Sequence, residues 1–526
     1  MTDKVNLINL FHFYQPYDQD ASMLHRIVKE SYEPVFKGFL ERPHSRAVFN
    51  ITGCLLQRFD DDGFNHLLDM LHILLERKQI EFMGTSMYHT FLPLLPSMEI
   101  RRQIELNDIV CKKYFGELYN PKGFYPPELG VNNSVLEVVR DLGYTWIASP
   151  YVALSGDSPK QNKLYKDKAS GLVCMLRNKI VSSLMLSAAV HSSKDLRTEA
   201  SDLFNAGEYW FTAMDGETFG HHRVHHESFL FDVLEDPCFN TTTVSDLLNT
   251  NNYEYVDFEY RASTWTNKEQ DFWLVYGNAK KSTSSNSFIL WKDPSNPIHT
   301  LQWDLTNRVI DIVNQYSDKD SEKWHKARHM LDYSLASDHF WWASAKPWWS
   351  LELIELGAYR LLKVVEPIVE ETAFDELHDI YRQIVDIAFD WQRSKKIHKM
   401  YEEMSTSYMR EPLKMRTSLN WYNQLLLELE YEMQKSISNL DLEKAILYRD
   451  SINKIHLGTD VFDIVHVIDL LWIGRNFDWN STYVKPFLDH DWDEFSDLVK
   501  TRLLGVSCKQ DFEDWKIVGD ERFMDS

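Results

Sequence analysis

The sequence predicts an α/β fold, an incomplete (β/α)7 barrel followed by an α-helical bundle. Three observations lead to this prediction. Short apolar runs alternate with amphipathic stretches through the first half of the chain, which is typical of parallel strands joined by right-handed helical crossovers. Seven such runs are present, one fewer than in a closed eight-stranded barrel. The second half has the periodicity of helices almost throughout.

Each of the seven predicted strands is a short run rich in β-branched, aromatic or other apolar residues. They cover residues 5–11, 47–51, 80–83, 123–125, 145–148, 172–176 and 209–214. Between them, apolar residues recur at helical spacing, which predicts crossover helices. The clearest of these are residues 23–39, 64–78, 99–115 and 134–142.

Helical periodicity takes over at about residue 306. The predicted helices are residues 321–336, 351–365, 375–400, 418–439, 442–455 and 462–475. We therefore expect a catalytic barrel domain over residues 1–305 and a helical domain over residues 306–526. The helical domain is expected to pack on the barrel and to bring the region around Asp338 to the cleft. Residues 260–301 have loop composition and are a candidate cover of that cleft.

Composition and charge exclude several classes of protein. The 526 residues can fill a large core and a second domain, and the net charge of −23 argues against a nucleic-acid partner or an anionic membrane surface. Five scattered cysteines without a Cys-x-x-Cys pair indicate neither a disulfide framework nor a zinc knuckle. No run is apolar enough over sufficient length to predict a transmembrane helix. We expect a cytoplasmic protein without metal or organic cofactor, and the sequence does not determine its oligomeric state.

Two carboxylates follow predicted strands in segments rich in glycine and aromatic residues. Glu128 comes after the fourth strand and two prolines, and Asp215 comes after the seventh strand. Cleavage of a glycosidic bond typically requires two carboxyl groups. One attacks the sugar or stabilises the sugar cation, and the other protonates the leaving oxygen. Each also has a structural alternative, as a helix cap or turn residue, and Glu217 competes with Asp215 as the acid.

Other polar side chains lie where the predicted strands end. The active site of a β/α barrel forms at the carboxyl ends of its strands. His12 and Gln15 follow the first strand, and His89 follows the third. These side chains are therefore expected in the same cleft as the two carboxylates.

A histidine-rich run, residues 221–226, follows Asp215 and contains four histidines. In a helix they would form pairs at i, i+4 spacing, an arrangement that suits metal binding. The alternative is that one or two of them line the cleft and the others are solvated.

Asp338 and His339 begin a segment, residues 338–342, that is otherwise aromatic, and Trp348 and Trp349 follow it. A charged residue within such an apolar segment usually needs a partner. The segment predicts either packing between the two domains or substrate binding.

Taken together, five blocks of this sequence resemble, in order, those of glycoside hydrolase family 57, the α-amylase and 4-α-glucanotransferase group. The blocks are residues 11–17, 80–96, 123–130, 215–222 and 336–342. The resemblance covers residues 5 to about 350; beyond that only the helical character agrees. It implies an incomplete (β/α)7 barrel with a helical domain.

The resemblance also implies roles for individual residues. Glu128 would be the nucleophile and Asp215 the general acid/base. The residues that would line the donor subsite are His12, Gln15, His89 and Asp338, with Trp265 as a residue that stacks on a sugar.

The sequence departs from the family at two places. The first block often reads His-x-His-Gln-Pro, and Tyr14 stands at the second histidine position, where a phenol can still donate to a sugar hydroxyl. The doubled His221–His222 is the other departure and bears on the identity of the substrate. We include Tyr14, His221 and His222 among the candidate substrate-binding residues.

We therefore expect a retaining glycoside hydrolase that acts on α-glucosidic bonds of α-glucans or maltooligosaccharides. Glu128 would attack the anomeric carbon, and Asp215 would protonate the leaving oxygen and then activate the acceptor. With a sugar acceptor in place of water, the same site would make a 4-α-glucanotransferase or a branching enzyme. Two further alternatives are a metal-dependent enzyme similar to polysaccharide deacetylases and a catalytically inactive carbohydrate-binding protein.

Overall fold

The computed structural model describes residues 4–154, 159–186, 190–250, 252–265, 288–345, 348–403 and 419–457. Within these ranges ten strands form two five-stranded sheets. The strands are β1 (Val5–Phe13), β2 (Ala47–Ile51), β3 (Ile80–Phe82), β4 (Gly123–Phe124), β5 (Trp146–Ser149), β6 (Lys163–Asp167), β7 (Val173–Leu176), β8 (Tyr209–Asp215), β9 (Phe239–Thr241) and β10 (Glu254–Phe258).

Seven parallel strands form the wall of an incomplete barrel, in the order β8-β1-β2-β3-β4-β5-β7. A parallel bridge between Gly84 and Phe124 joins β3 to β4 across the two sheets. A Cβ on Gly84 would lie 2.0 Å from the Tyr144 hydroxyl oxygen, so this close approach requires glycine. On the other side, the backbone N–H of Asn178, just after β7, donates to the carbonyl of Phe211 within β8 at 2.7 Å. The predicted fold class is confirmed.

The seven predicted strands correspond to these seven wall strands. Three observed strands, β6, β9 and β10, were not predicted. β6 and β10 extend one sheet beyond β7, and β9 pairs with the first residues of β1. β6 and β10 carry exposed charged residues, so they lack the apolar runs that mark the buried wall.

The described helices surround the wall in the first half and continue alone through the second. They are α1 (Ala21–Ile27), α2 (Glu33–Glu41), α3 (Gly53–Asp61), α4 (Asn65–Glu76), α5 (Ser97–Phe115), α6 (Asn133–Asp141), α7 (Lys179–Leu186), α8 (Ser193–Glu199), α9 (Glu227–Glu235), α10 (Val244–Asn249), α11 (Pro297–Gln315), α12 (Glu322–Ser334), α13 (Asp338–Trp341), α14 (Leu351–Val365), α15 (Glu371–Arg393), α16 (Lys396–Glu403), α17 (Leu419–Ser438) and α18 (Leu442–Leu457). A π-helical turn, Val28–Tyr32, joins α1 to α2. None of these helices combines the length and apolar character of a membrane span.

Most predicted helices are present with shifted ends. The one predicted at residues 375–400 is divided between α15 and α16, and the one at 462–475 lies outside the described residues, as do residues 266–287 of the candidate cover. The predicted domain boundary at residue 305 falls within the single helix α11, and the division into two domains stays a prediction.

Apolar side chains fill the inside of the barrel. Leu10, Val48, Met83, Trp146 and Phe211 project there from five different wall strands or their ends. A second cluster joins β4, β5, α5 and α6 to the helices α11–α15, so the later helices share a core with one side of the barrel. This shared core brings residues distant in sequence to the barrel mouth.

Candidate active site

Neighbouring strands place polar side chains at one level of the barrel mouth. In the pairing of β1 with β2, His12 lies beside Asn50, and in the pairing of β1 with β8 it lies beside Asp215. Asp215 is the last residue of β8. The strand register by itself therefore brings His12 and Asp215 together.

Glu128 lies on a 3₁₀ turn, Pro127–Leu129, that follows β4. Its backbone is left-handed, with φ of 59°, which is uncommon for a residue other than glycine. The carboxylate Oε2 accepts a hydrogen bond of 2.7 Å from Trp265 Nε1, and Oε1 lies 3.9 Å from His89 Nε2. The two prolines and this turn thus hold the Glu128 carboxylate beside His89 and Trp265.

Asp215 is partly accessible to solvent, but the surrounding protein changes its acidity. Desolvation of the carboxyl raises the pKa of Asp215 to about 6, although the nearby Arg177 guanidinium lowers it. Arg177 directly follows β7 and donates from Nε to the Ala213 carbonyl at 2.8 Å. A carboxyl with a raised pKa retains its proton at mildly acidic pH, which is the state that a general acid needs.

Glu217, the competing acid, is only 4% exposed. Burial, followed by the negative charge of Asp215, raises the pKa of Glu217 to about 7. Its Oε1 accepts hydrogen bonds from the Tyr32 hydroxyl and from Gln15 Nε2. Because Glu217 is more deeply buried and already accepts these bonds, Asp215 is the better candidate for proton transfer to a substrate.

His12 and His89 form a hydrogen-bonded pair, with 3.2 Å between their Nε2 atoms. His12 Nδ1 lies 2.6 Å from Asn50 Oδ1, which is an acceptor, so this ring carries its proton on Nδ1 and accepts from His89 at Nε2. Burial lowers the pKa of His12 to about 4 and that of His89 well below its ordinary value. Both rings are therefore neutral at neutral pH, as this arrangement requires.

Tyr14 connects β1 to the second half of the chain. Its hydroxyl donates to Asp338 Oδ2 at 2.7 Å, and its ring stacks on His89 with 4.0 Å between the centroids. Burial raises the pKa of Asp338. The phenol proton is donated to Asp338, so donation to a sugar hydroxyl, which the sequence suggested, would require breaking that bond.

The histidine run 221–226 forms turns, and α9 begins only after it, so the histidines do not form the i, i+4 pairs that a helix would have given them. His221 Nδ1 lies 2.6 Å from Glu30 Oε2, His226 is buried against a backbone carbonyl, and His222 is exposed. Within the described ranges, no group of three His, Cys, Asp or Glu side chains is arranged to hold a metal ion.

Tyr125 is a site residue that was not predicted. Its ring stacks on His12 at 4.6 Å, and its buried hydroxyl has no hydrogen-bond partner among the described residues. Burial, followed by the negative charges of Asp215 and Glu128, raises the pKa of Tyr125 well above its ordinary value. Tyr125 is therefore close to both candidate catalytic carboxylates.

Two further neighbours of the carboxylates, Arg177 and Tyr32, were also missed. Arg177 directly follows a predicted strand, so the rule that identified His12 and Asp215 would have found it. Tyr32 carries no such signal because it lies on a helical segment, far in sequence from the Glu217 that it contacts.

Residues 8–259 match the family model described as Glycosyl hydrolase family 57, and residues 423–457, within α17 and α18, match a UvrB/uvrC motif. The chain is 27% identical over 148 residues to Alpha-amylase 1 of Dictyoglomus thermophilum, a match over 28% of this chain and 21% of that protein. It is 24% identical over 146 residues to a 4-alpha-glucanotransferase of Thermococcus litoralis, and this match also covers 28% of this chain and 21% of that protein. The matches thus span about a fifth of the length of these curated relatives.

Two crystal structures share the fold. One is the 4-alpha-glucanotransferase from Thermococcus litoralis, with a TM-score of 0.56 and 16% identity over 70% of this chain and 61% of that one. The other is a GH57-type branching enzyme from Pyrococcus horikoshii, with a TM-score of 0.53 and 14% identity. That match covers 72% of this chain and 94% of the branching enzyme. At such identities the likeness concerns the fold alone. The matching family model makes residues 8–259 of this chain similar to glycosyl hydrolase family 57.

Proposed function

We propose that this protein is a retaining glycoside hydrolase that acts on α-glucosidic bonds of α-glucans or maltooligosaccharides. The observation that carries this proposal is that one site holds two carboxyls in different environments. Desolvation raises the pKa of Asp215 to about 6, whereas Glu128 accepts a hydrogen bond from an indole N–H, which favours the ionised form. Retaining cleavage needs one protonated and one ionised carboxyl.

In the first step, an oxygen of Glu128 bonds to the anomeric carbon while the glycosidic C–O bond breaks, and Asp215 gives its proton to the leaving oxygen. In the second step, Asp215 takes a proton from the acceptor hydroxyl, and the acceptor oxygen displaces Glu128 from the anomeric carbon. Two inversions at that carbon give net retention.

The surroundings of the two carboxyls suit a neutral, hydroxyl-rich ligand. The buried rings of His12 and His89 are uncharged, so they line the site without attracting ions. Gln15, whose amide donates to Glu217, and Asp338, whose carboxylate accepts from Tyr14, add further polar groups. We infer that these four side chains contact the sugar on the donor side of the bond that is cleaved.

The acceptor determines the reaction class. Water gives an amylase, and a sugar hydroxyl gives a 4-α-glucanotransferase or a branching enzyme with the same catalytic pair. The relatives reported above carry names of both kinds, so transfer is the second candidate.

Product analysis with maltoheptaose tests the proposal. Wild type is compared with Glu128→Gln and Asp215→Asn, and Asp304→Asn serves as a control because it is a half-exposed carboxylate on α11. We expect short maltooligosaccharides from hydrolysis or a ladder beyond seven units from transfer. Loss of the acid/base is expected to reduce kcat by roughly 10²- to 10⁴-fold, and the control should retain wild-type activity.

The anomeric configuration of the first product, followed by NMR, tests retention separately. Initial formation of the α-anomer supports the two-step mechanism, and initial formation of the β-anomer contradicts it. Equal activity of all four proteins would exclude Glu128 and Asp215 as the catalytic pair. Tight binding of maltoheptaose without turnover by wild type would instead support a carbohydrate-binding protein.

A further inference from the structure

A short segment, residues 263–265, binds both the backbone and the side chain of Glu128. Its first residue pairs with Val131 in an antiparallel bridge, with N–O distances of 2.9 and 3.0 Å. The Glu128 carbonyl accepts hydrogen bonds from the Thr264 hydroxyl at 2.5 Å and from the Trp265 backbone N–H at 3.2 Å. The Trp265 indole then donates to the carboxylate. We call residues 263–265 the clamp.

The backbone of Glu128 needs such support. Glu128 and Leu129 both have left-handed backbones, with φ of 59° and 46°, which is costly for residues that carry a Cβ. The two prolines before them have no backbone N–H with which to pair. A strained turn persists only where its surroundings hold it in place, and the clamp binds the turn at Glu128 and the chain just after the turn at Val131.

The clamp also constrains the chemistry of the carboxylate. An indole N–H can only donate, so Glu128 Oε2 must accept, and this bond favours the ionised carboxylate. Oε1 lies on the side of His89, 3.9 Å from its Nε2. The indole ring is itself flanked by the Tyr125 ring, at 6.4 Å between centroids, and by the Arg177 guanidinium, at 5.7 Å.

We propose that Trp265 is a positioning residue, whose indole N–H holds the Glu128 carboxylate ionised and in one orientation, with Oε1 presented to the anomeric carbon. This inference rests on the proposed role of Glu128 as nucleophile. It differs from the stacking role that the family resemblance implies, in which the ring face contacts a sugar. Stacking contributes to substrate binding, whereas positioning contributes to the rate of the chemical step, so the two roles predict different kinetics.

The variant Trp265→Phe keeps a flat ring and removes the N–H donor. We expect kcat with maltoheptaose to fall by roughly 10- to 100-fold while KM changes by less than about threefold. In the pH profile of kcat/KM, the acid limb reports the ionisation of Glu128. This limb should move to higher pH by roughly one unit, because the ionised carboxylate loses a hydrogen bond and its pKa rises. An unchanged acid limb, or a raised KM with unchanged kcat, would overturn the proposal.

Thr264→Ala is a matched control within the clamp. It removes a hydrogen bond to the backbone carbonyl of Glu128 but none to its carboxylate. We expect a lower melting temperature and an acid limb at the wild-type pH. If this variant moves the acid limb as far as Trp265→Phe does, the effect is a general disturbance of the turn and the proposal is wrong.

A readout without turnover separates this inference from the proposed function. Infrared titration, taken as the difference from Glu128→Gln, follows the carboxylate band of Glu128 directly. Its midpoint should lie at higher pH in Trp265→Phe than in wild type. If that shift occurs in a protein that does not act on α-glucans, the positioning role stands and the proposed substrate is wrong. If activity is present and the midpoint does not move, the positioning role is wrong.

Discussion

Asp215 and Glu217 lie two residues apart at the end of β8, and the pKa values of both are raised, to about 6 and about 7. A raised pKa means that the folded protein binds the proton more tightly than the unfolded chain does. The stability that such a carboxyl contributes is therefore present at low pH and is lost as the pH rises through the folded pKa. At neutral pH the site is a source of instability, a frequent cost of catalytic groups.

Asp215→Asn should consequently stabilise the protein at pH 8. The expected gain is on the order of 2–3 kcal/mol, because the pKa of Asp215 rises by about two units on folding. The gain should be much smaller at pH 4, where the wild-type carboxyl is protonated in the folded state. Urea unfolding at both pH values measures this, with Asp304→Asn as an exposed control. A variant less stable than wild type at pH 8 would contradict the prediction.

Arg177 should determine where activity is lost at high pH. Its positive charge favours the ionised form of Asp215, so Arg177→Met should raise the pKa of Asp215 and move the alkaline limb of kcat/KM to higher pH by roughly one unit. In wild type that limb is expected near pH 6. Arg177→Lys keeps the charge and should leave the limb close to its wild-type position. A shift to lower pH in Arg177→Met would show that another group titrates there.

At the scale of elements, the π-helical turn Val28–Tyr32 supports the loop that carries Glu217. Three consecutive residues of the turn contact this loop: Glu30 binds His221, Ser31 donates to the Gly216 carbonyl at 2.9 Å, and Tyr32 donates to Glu217. π-helical turns frequently occur at functional sites. Here the turn aligns three contacts toward one loop.

Gly220 marks the closest approach between that loop and the π-helical turn. Its φ is 115°, and a Cβ would lie 1.8 Å from the Glu30 carbonyl oxygen. Gly220→Ala should therefore combine backbone strain with a steric clash and destabilise the protein by about 3 kcal/mol or more.

Gly63→Ala is the matched control for this prediction. Gly63 also has a positive φ, of 83°, but nothing lies within 4 Å of its Cβ position. Gly63→Ala should therefore lower the free energy of unfolding only through backbone strain, by about 1–2 kcal/mol. Thermal unfolding of both variants gives the difference, and equal losses would mean that the loop shifts away from the turn without cost.

At the scale of the whole molecule, a buried ionic network ties α5 of the barrel to α12. Arg328 on α12 donates to both carboxylate oxygens of Glu99 on α5, at 2.9 and 2.8 Å, and to Asp332 at 2.9 Å. Arg102 on α5 binds both oxygens of Asp332 at 2.6 Å. Two positive and two negative side chains thus compensate one another, and the side chains of Glu99, Arg328 and Asp332 are all at most 5% exposed.

Arg328→Met should destabilise the protein by about 3–5 kcal/mol, because it leaves Glu99 buried without its cation. Arg308→Met removes a half-exposed pair with Asp304 and should cost less than about 1 kcal/mol. Chemical denaturation of the two variants compares them directly. A similar small loss in both would mean that water or another residue replaces Arg328 in the network.

Much of the barrel could be predicted from sequence because the wall strands are buried on both faces, and burial leaves short apolar runs in the chain. β6 and β10 could not be predicted for the converse reason: they lie at the margin of a sheet, and their exposed charged residues hide the strand pattern. For the histidine run 221–226 the sequence left a helix and an irregular segment both open, and the structure has turns there.

The sequence by itself determined the fold class and the positions where polar side chains would meet, because parallel strands bring their carboxyl ends to one edge. The proximity of His12 and Asp215 follows from that rule and is present in the strand register. Only the tertiary structure decided which partners surround each carboxyl. The contacts of Trp265 with Glu128 and of Tyr32 with Glu217 join residues 137 and 185 positions apart, and such pairs leave no periodic trace in the chain because packing alone creates them.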